Sequence, residues 1–325
     1  MTPANPLAVS LPLEDAIQIV PTALLCLLYA RRVRTLASSG QPVPGWRQGC
    51  FYAGCLVIAA ALIGVGKAGQ ELLFVRMIES LLIANVAALL IVLGLTGPLL
   101  APVLAADRSI ASDRRSVGVF DRLRVLANPL IAFPLWAIDL YLWHLPGPYQ
   151  GAVEHVGLNL LQHVMFLAFG LNMWMCLFGP LPMPGWFGNL GKLLYIVAVS
   201  LAAAALGNIF LWSDAVFYPF YLGGDSRHHL SPLADQNLAG AVMMVEVSLF
   251  TIGLFWWLFR RSAREAVERQ ELLDFARVHG LSLSDQRAAR AVSAGRGAEL
   301  RQRLESGVEP GDAPPAHTMM RDSMI

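Results

Sequence analysis

The stretch Leu190–Trp212, LGKLLYIVAVSLAAAALGNIFLW, carries one charged side chain, Lys192, in 23 residues. As a helix at about 1.5 Å per residue it reaches across a hydrocarbon core about 30 Å thick, which needs roughly 17 to 25 apolar residues. A segment of this kind is read as a membrane span, and six more follow from the same criterion. They run from Ala16 to Ala30, Cys50 to Gly66, Met77 to Leu99, Pro129 to Pro146, Val156 to Phe178 and Asn237 to Phe259. The fold class expected is all-α, a polytopic membrane protein with seven transmembrane helices.

Orientation follows from where Lys and Arg gather in the short connections. Arg31, Arg32, Arg34 and Arg47 follow the first span, and Arg108, Arg114, Arg115, Arg122 and Arg124 follow the third. Lys67, Arg76 and Arg227 are the only basic residues of the alternate connections. With Lys192 counted inside and the tail left aside, the split is ten against three. The N-terminus is therefore expected outside and the C-terminus in the cytoplasm. The first positive charge, Arg31, comes after the first span, so that span lacks the basic lead of a secretory signal and is expected to stay.

Composition agrees. Hydrophobic residues make up 56% of the 325 and charged ones 14%, against about 25% charge in a soluble domain. Mean hydropathy is +0.54. The formal net charge is +1, which gives no basic groove for nucleic acid. The four cysteines, Cys26, Cys50, Cys55 and Cys176, fall toward the expected cytoplasmic helix ends, where thiols stay reduced. Three regions result: an external segment over 1–15, the membrane domain over 16–259, and a cytoplasmic tail over 260–325. The tail opens with an Arg/Glu-rich helical stretch near 261–278 and then turns to a composition that reads as disordered.

Polar residues inside a membrane are costly and mark functional positions. Here they collect toward the outer side. Counted from the expected outer ends at about 1.5 Å per residue, Asp139 and His163 lie about 10 Å deep, Met243 about 9 Å, Glu246 about 13 Å and Asn208 about 6 Å. His144 stands at the water boundary, where Pro146 and Pro148 end the fourth span. His155, Asn159 and His163 form an i, i+4, i+8 row on the fifth. Gln236, Gly240 and Met243 share a face of the seventh, and His228 and His229 lie in the long aromatic loop before it. Thioether and imidazole suit Cu(I), paired imidazoles suit haem iron, and carboxylates at this depth suit proton transfer. These ligand types do not choose among the three. Retinal is excluded, since neither lysine lies within the seventh span.

The sequence resembles the CtaG family of assembly factors for caa-type cytochrome c oxidases, which are heptahelical bacterial inner-membrane proteins. The resemblance rests on WHLPGPY at Trp143–Tyr149, QHVMFLAFGLNMW at Gln162–Trp174, FYPFY at Phe217–Tyr221 and LSPLADQNLAG at Leu230–Gly240, in that order. It implies a role in maturing a haem-copper oxidase through copper delivery or insertion on the outer side, with oxidase subunits and periplasmic copper carriers as partners and no enzymatic activity. His144, His163, Asp235 and Gln236 match the family pattern. Where that pattern leads one to expect a second His and a Glu, this chain has Asn159 and Gln162.

The expected metal ligands are His144, His163 and Met243, supported by Asp139, Glu246, Asp235, Gln236 and Asn208. Copper is the expected cargo. A copper permease and a haem-binding oxidoreductase, the latter with His144 and His163 as axial ligands, are the alternatives.

Overall fold

The computed structural model describes residues 13–100, 125–181, 183–293 and 295–306. The arginine group between Arg108 and Arg124, most of the expected external segment and the stretch 307–325 lie outside the described residues. The described chain is helical: α1 (Leu13–Ser38), α2 (Gly45–Val65), α3 (Leu73–Gly94), α4 (Pro129–Trp143), α5 (Pro146–Glu154), α6 (Val156–Phe178), α7 (Asn189–Trp212), α8 (Leu222–Arg227), α9 (Pro232–Val278), α10 (Asp285–Ser293) and α11 (Gly297–Glu305). Among the described residues, α2, α3, α6, α7 and α9 are long and apolar enough to cross a membrane, and α4 is a shorter apolar helix.

Several ends differ from the hydropathy reading, each for a local reason. Helix α3 starts at Leu73, four residues before the expected Met77, because the Asp235 carboxylate accepts from the backbone N–H groups of Leu73 (2.6 Å) and Phe74 (3.0 Å). It stops at Gly94, where Leu95 turns extended. Asn128 caps α4 by accepting from the Leu130 N–H at 3.1 Å, and Pro129 fills the first helical position. Helix α1 continues past Ala30 to Ser38 and carries Arg31, Arg32 and Arg34 on its final turns. The stretch expected as a separate tail helix near 261–278 is the unbroken continuation of α9, which is 47 residues long.

The chain divides at residues 252 and 253 into two compact units. In the first, small residues let helices approach closely. A Cβ at Gly54 of α2 would stand 2.8 Å from Ile91 of α3, and one at Gly94 would stand 2.6 Å from Phe51. Gly170 of α6 packs against the Ala84 carbonyl of α3, and Gly240 of α9 against Leu211 and Gly207 of α7. Two π-helical segments, Ala61–Val65 in α2 and Leu82–Ala87 in α3, interrupt the regular α ladder. Leu130, Ile138, Leu194, Leu201, Leu249 and Ile252 are each more than 60% exposed. So many exposed aliphatic chains fit contact with lipid acyl chains. In the second unit Leu272, Val292 and Leu300 form a small core that holds α10 and α11, helices that composition alone did not indicate.

Candidate functional site

The site lies at the end of the first unit where α3, α6 and α9 begin and α4 and α7 finish. Between α7 and α9 the chain forms a strap, residues 213–231, containing one 3₁₀ turn and α8. Gln236, at the start of α9, anchors it: its side-chain oxygen accepts from the Phe217 N–H at 2.9 Å and its amide donates to the Ala215 carbonyl at 3.0 Å. Tyr218 donates to the His144 carbonyl at 2.6 Å, and Tyr221 to the Gly69 carbonyl at 3.2 Å. Gly224 packs directly on the Glu71 backbone, an approach that excludes any side chain there. The motif residues Gln236, Tyr218 and Tyr221 thus fasten the strap to three other segments, while Asp235 ties α9 to α3.

Beneath the strap is a cavity of about 30 Å³, room for one or two water-sized species. His144, Met77, Met243, Asp139, Glu246 and Asn85 line it together with apolar neighbours. The His144 ring is buried among Tyr149, Phe166 and Phe210, with centroids 6.3, 6.1 and 6.0 Å away. Its Nδ1 lies 2.6 Å from the Leu140 carbonyl, which only accepts. Nδ1 therefore carries the proton, and the Nε2 lone pair is the one available for a ligand. Glu246 accepts from the Asn85 amide at 2.7 Å, while Asp139 Oδ1 is buried without a hydrogen-bond partner.

A second polar group sits beside the cavity, on the face of α3 turned toward α6. The Arg76 guanidinium meets Glu79 at 3.1 Å and donates to Asn159 at 2.7 Å and Gln162 at 2.8 Å. His163 Nε2 stands 3.4 Å from the other Glu79 oxygen, and neither ring nitrogen of His163 makes a hydrogen bond. Gly66 and Gly69 make room for this carboxylate, since a Cβ at either would come within 3.1 and 3.3 Å of its oxygens. An ion pair this deep persists because several neutral acceptors and donors surround it.

The expected ligands are thus divided. His144 and Met243 share the cavity with Asp139 and Glu246, whereas His163 faces Glu79. Asp235 and Gln236 serve as cap and strap anchor. Asn208 is turned onto its own helix, donating to the Ala204 carbonyl at 2.8 Å and accepting from Trp212 at 3.1 Å. His155 is exposed at the junction of α5 and α6, and His228 pairs with Glu71 at 2.8 Å. Among the described residues no three His, Cys, Asp or Glu side chains gather as a metal-binding group.

Among the described residues outside the membrane-spanning helices, two carboxyls are perturbed. The hydrogen bond from His228, with Arg227 nearby, holds Glu71 below the usual range. Burial, aided by the neighbouring Asp235, raises Asp225 from 3.8 to about 6.

Sequence reasoning passed over Arg76, Glu79, Met77 and Asn85. Arg76 and Glu79 stand three apart at the start of an apolar run, a spacing that places opposite charges on one helical face. That was the available signal.

A bundle of apolar helices with a buried polar end closed by a strap defines a polytopic membrane protein built around an internal site. The family model for the cytochrome c oxidase caa3 assembly factor (Caa3_CtaG) matches residues 27–265, and the chain belongs to that family. No curated protein and no solved structure matches it.

Proposed function

We propose that this assembly factor holds copper as cargo at His144 and Met243 and hands it to subunits of the oxidase, receiving it from periplasmic copper carriers. It acts as a chaperone and catalyses no reaction. It lies in the bacterial inner membrane with seven spans, the strap end toward the periplasm and the C-terminus in the cytoplasm. The basic residues that flank alternate spans support this orientation.

The observation that carries the reading is the His144 ring, whose Nδ1 is committed to the Leu140 carbonyl while the ring lines a cavity shared with Met243. A neutral imidazole and a thioether are soft donors that suit Cu(I). The unpartnered Asp139 oxygen offers negative charge to balance the ion in a low-dielectric setting. The volume of about 30 Å³ fits an ion and is far too small for a macrocycle, which favours copper over haem. The cavity runs from His144, at the end of α4, to Asn85 and Glu246, part-way along α3 and α9, which favours a holding site over a through path. Beside the site α6 is held on α3 by Arg76, which donates to Asn159 and Gln162.

The test is metal content after anaerobic Cu(I) loading of the detergent-purified chain, paired with oxidase maturation in cells. Wild type is expected to retain about one copper, and His144→Ala to lose it together with most oxidase activity. Copper retained in His144→Ala, or full maturation without it, overturns the proposal.

A further inference from the structure

The cavity's third soft donor is Met77, on α3, a helix that the sequence reading left without any ligand. Met77 is 1% exposed and Met243 2% exposed, and both line the same space as His144. Packing alone accounts for one buried Met readily. It accounts less well for two thioethers from different helices beside an imidazole with a free nitrogen. The remaining wall separates by chemistry. The Glu246 oxygen is engaged by Asn85, and the nearby charged side chains Arg76 and Glu79 turn toward α6 and pair with one another. The described residues gather no set of three His, Cys, Asp or Glu side chains that would favour Zn(II) or Cu(II).

We infer that Met77 is a copper ligand, and that His144 Nε2 with the sulfurs of Met77 and Met243 forms a three-donor site selective for the monovalent ion. This rests on the copper reading above and deepens it. The three donors are neutral, so the complex carries the single charge of Cu(I), which one carboxylate balances. Two thioethers and an imidazole are soft donors, which favour Cu(I) over divalent ions that take harder ligands. The strap is expected to cover the site without supplying a ligand, since its tyrosines are occupied with backbone carbonyls.

The experiment is X-ray absorption at the copper edge on the full-length protein in detergent, loaded anaerobically with Cu(I), together with a competition titration against a Cu(I) chelator. Wild type is expected to show two sulfur neighbours and one nitrogen. Met77→Leu, nearly equal in volume, is expected to keep the fold, show one sulfur, and bind Cu(I) at least tenfold more weakly. Met244→Leu, on the same helix as Met243, is expected to change neither quantity. If wild type binds Cu(I) with one sulfur, or if Met77→Leu leaves sulfur count and affinity unchanged, the three-donor site falls while the His144–Met243 reading stands. A copper with no sulfur neighbour removes Met243 as a ligand too. If wild type binds no Cu(I), the copper reading itself falls. The wild-type sulfur count decides the matter even if the variant fails to fold.

Discussion

At the residue scale, one carboxylate links two distant parts of the chain. Asp235, 1% exposed, accepts two N–H groups that open α3, 162 and 161 residues away, and so joins the start of α9 to the start of α3. A charged cap of this kind stabilises by about 1–2 kcal/mol. Asp235→Ala is expected to destabilise the fold by that amount, read as a lower thermal unfolding midpoint in detergent, with Asp235→Asn falling between. Equal midpoints for wild type and Asp235→Ala would remove the cap from the account. The sequence made Asp235 visible as a motif residue without revealing its role, because its partners are backbone groups that no side-chain pattern encodes. Arg76 escaped for another reason, the distance along the chain to its side-chain partners. Its acceptors Asn159 and Gln162 lie 83 and 86 residues on, so it read as a loop charge and they read as a departure from the family pattern. Of the expected row His155, Asn159 and His163, the last two lie on α6, while His155 is its extended, exposed cap and leaves the row.

At the element scale, the strap carries its own titratable latch. Asp225 is buried next to Asp235, and Glu71 pairs with Arg227 and His228. The folded strap binds the Asp225 proton more tightly than the unfolded chain does. Its contribution to stability is therefore full at low pH and declines as pH rises through about 6. Glu71 has the opposite sign: its lowered value keeps its contribution above the usual carboxylate range and loses it only in stronger acid. From about pH 5 to about pH 7 the Asp225 effect is therefore the one that changes between these two carboxyls. Hydrogen exchange at the Leu230 amide, which donates to the Asp225 carbonyl at 2.9 Å, reports it. Protection in Asp225→Asn relative to wild type is expected to rise across that interval. A constant ratio would mean that Asp225 does not titrate in the strap. The strap's aromatic run was legible as an external loop, but its closure over the bundle end was not, since its ties run to backbone carbonyls.

At the scale of the whole molecule, apolar runs of the right length revealed the helices, and α6 and α7 agree with the reading to within a residue. The ends of α3 and α9 escaped it, because capping and continuation past the bilayer are not properties of hydropathy. The proposed topology has a direct check. With the four native cysteines replaced by Ala, a Cys at exposed Gln150 is expected to react with an impermeant maleimide in spheroplasts. A Cys at exposed Ser282 is expected to react only after the membrane is opened. Reaction of both from the same side would reject the seven-span arrangement, and the reverse pattern would invert it.

The π segment Leu82–Ala87 bears on how α3 tolerates changes in length. A π turn accommodates one residue more than the α ladder requires while leaving the helix on either side in phase. Removing Leu82 is therefore expected to convert the segment to ordinary α-helix, with Met77 still facing the cavity and Ile91 still facing α2. Removing one residue from the uninterrupted α7 instead rotates everything beyond it by about 100°. Expression and folding of the two deletion variants in membranes should differ accordingly, and equal damage would show that α3 has no such slack. The place where the ladder is broken is thus a reading-frame buffer, the one stretch of this helix whose spelling can shorten without scrambling the faces on either side.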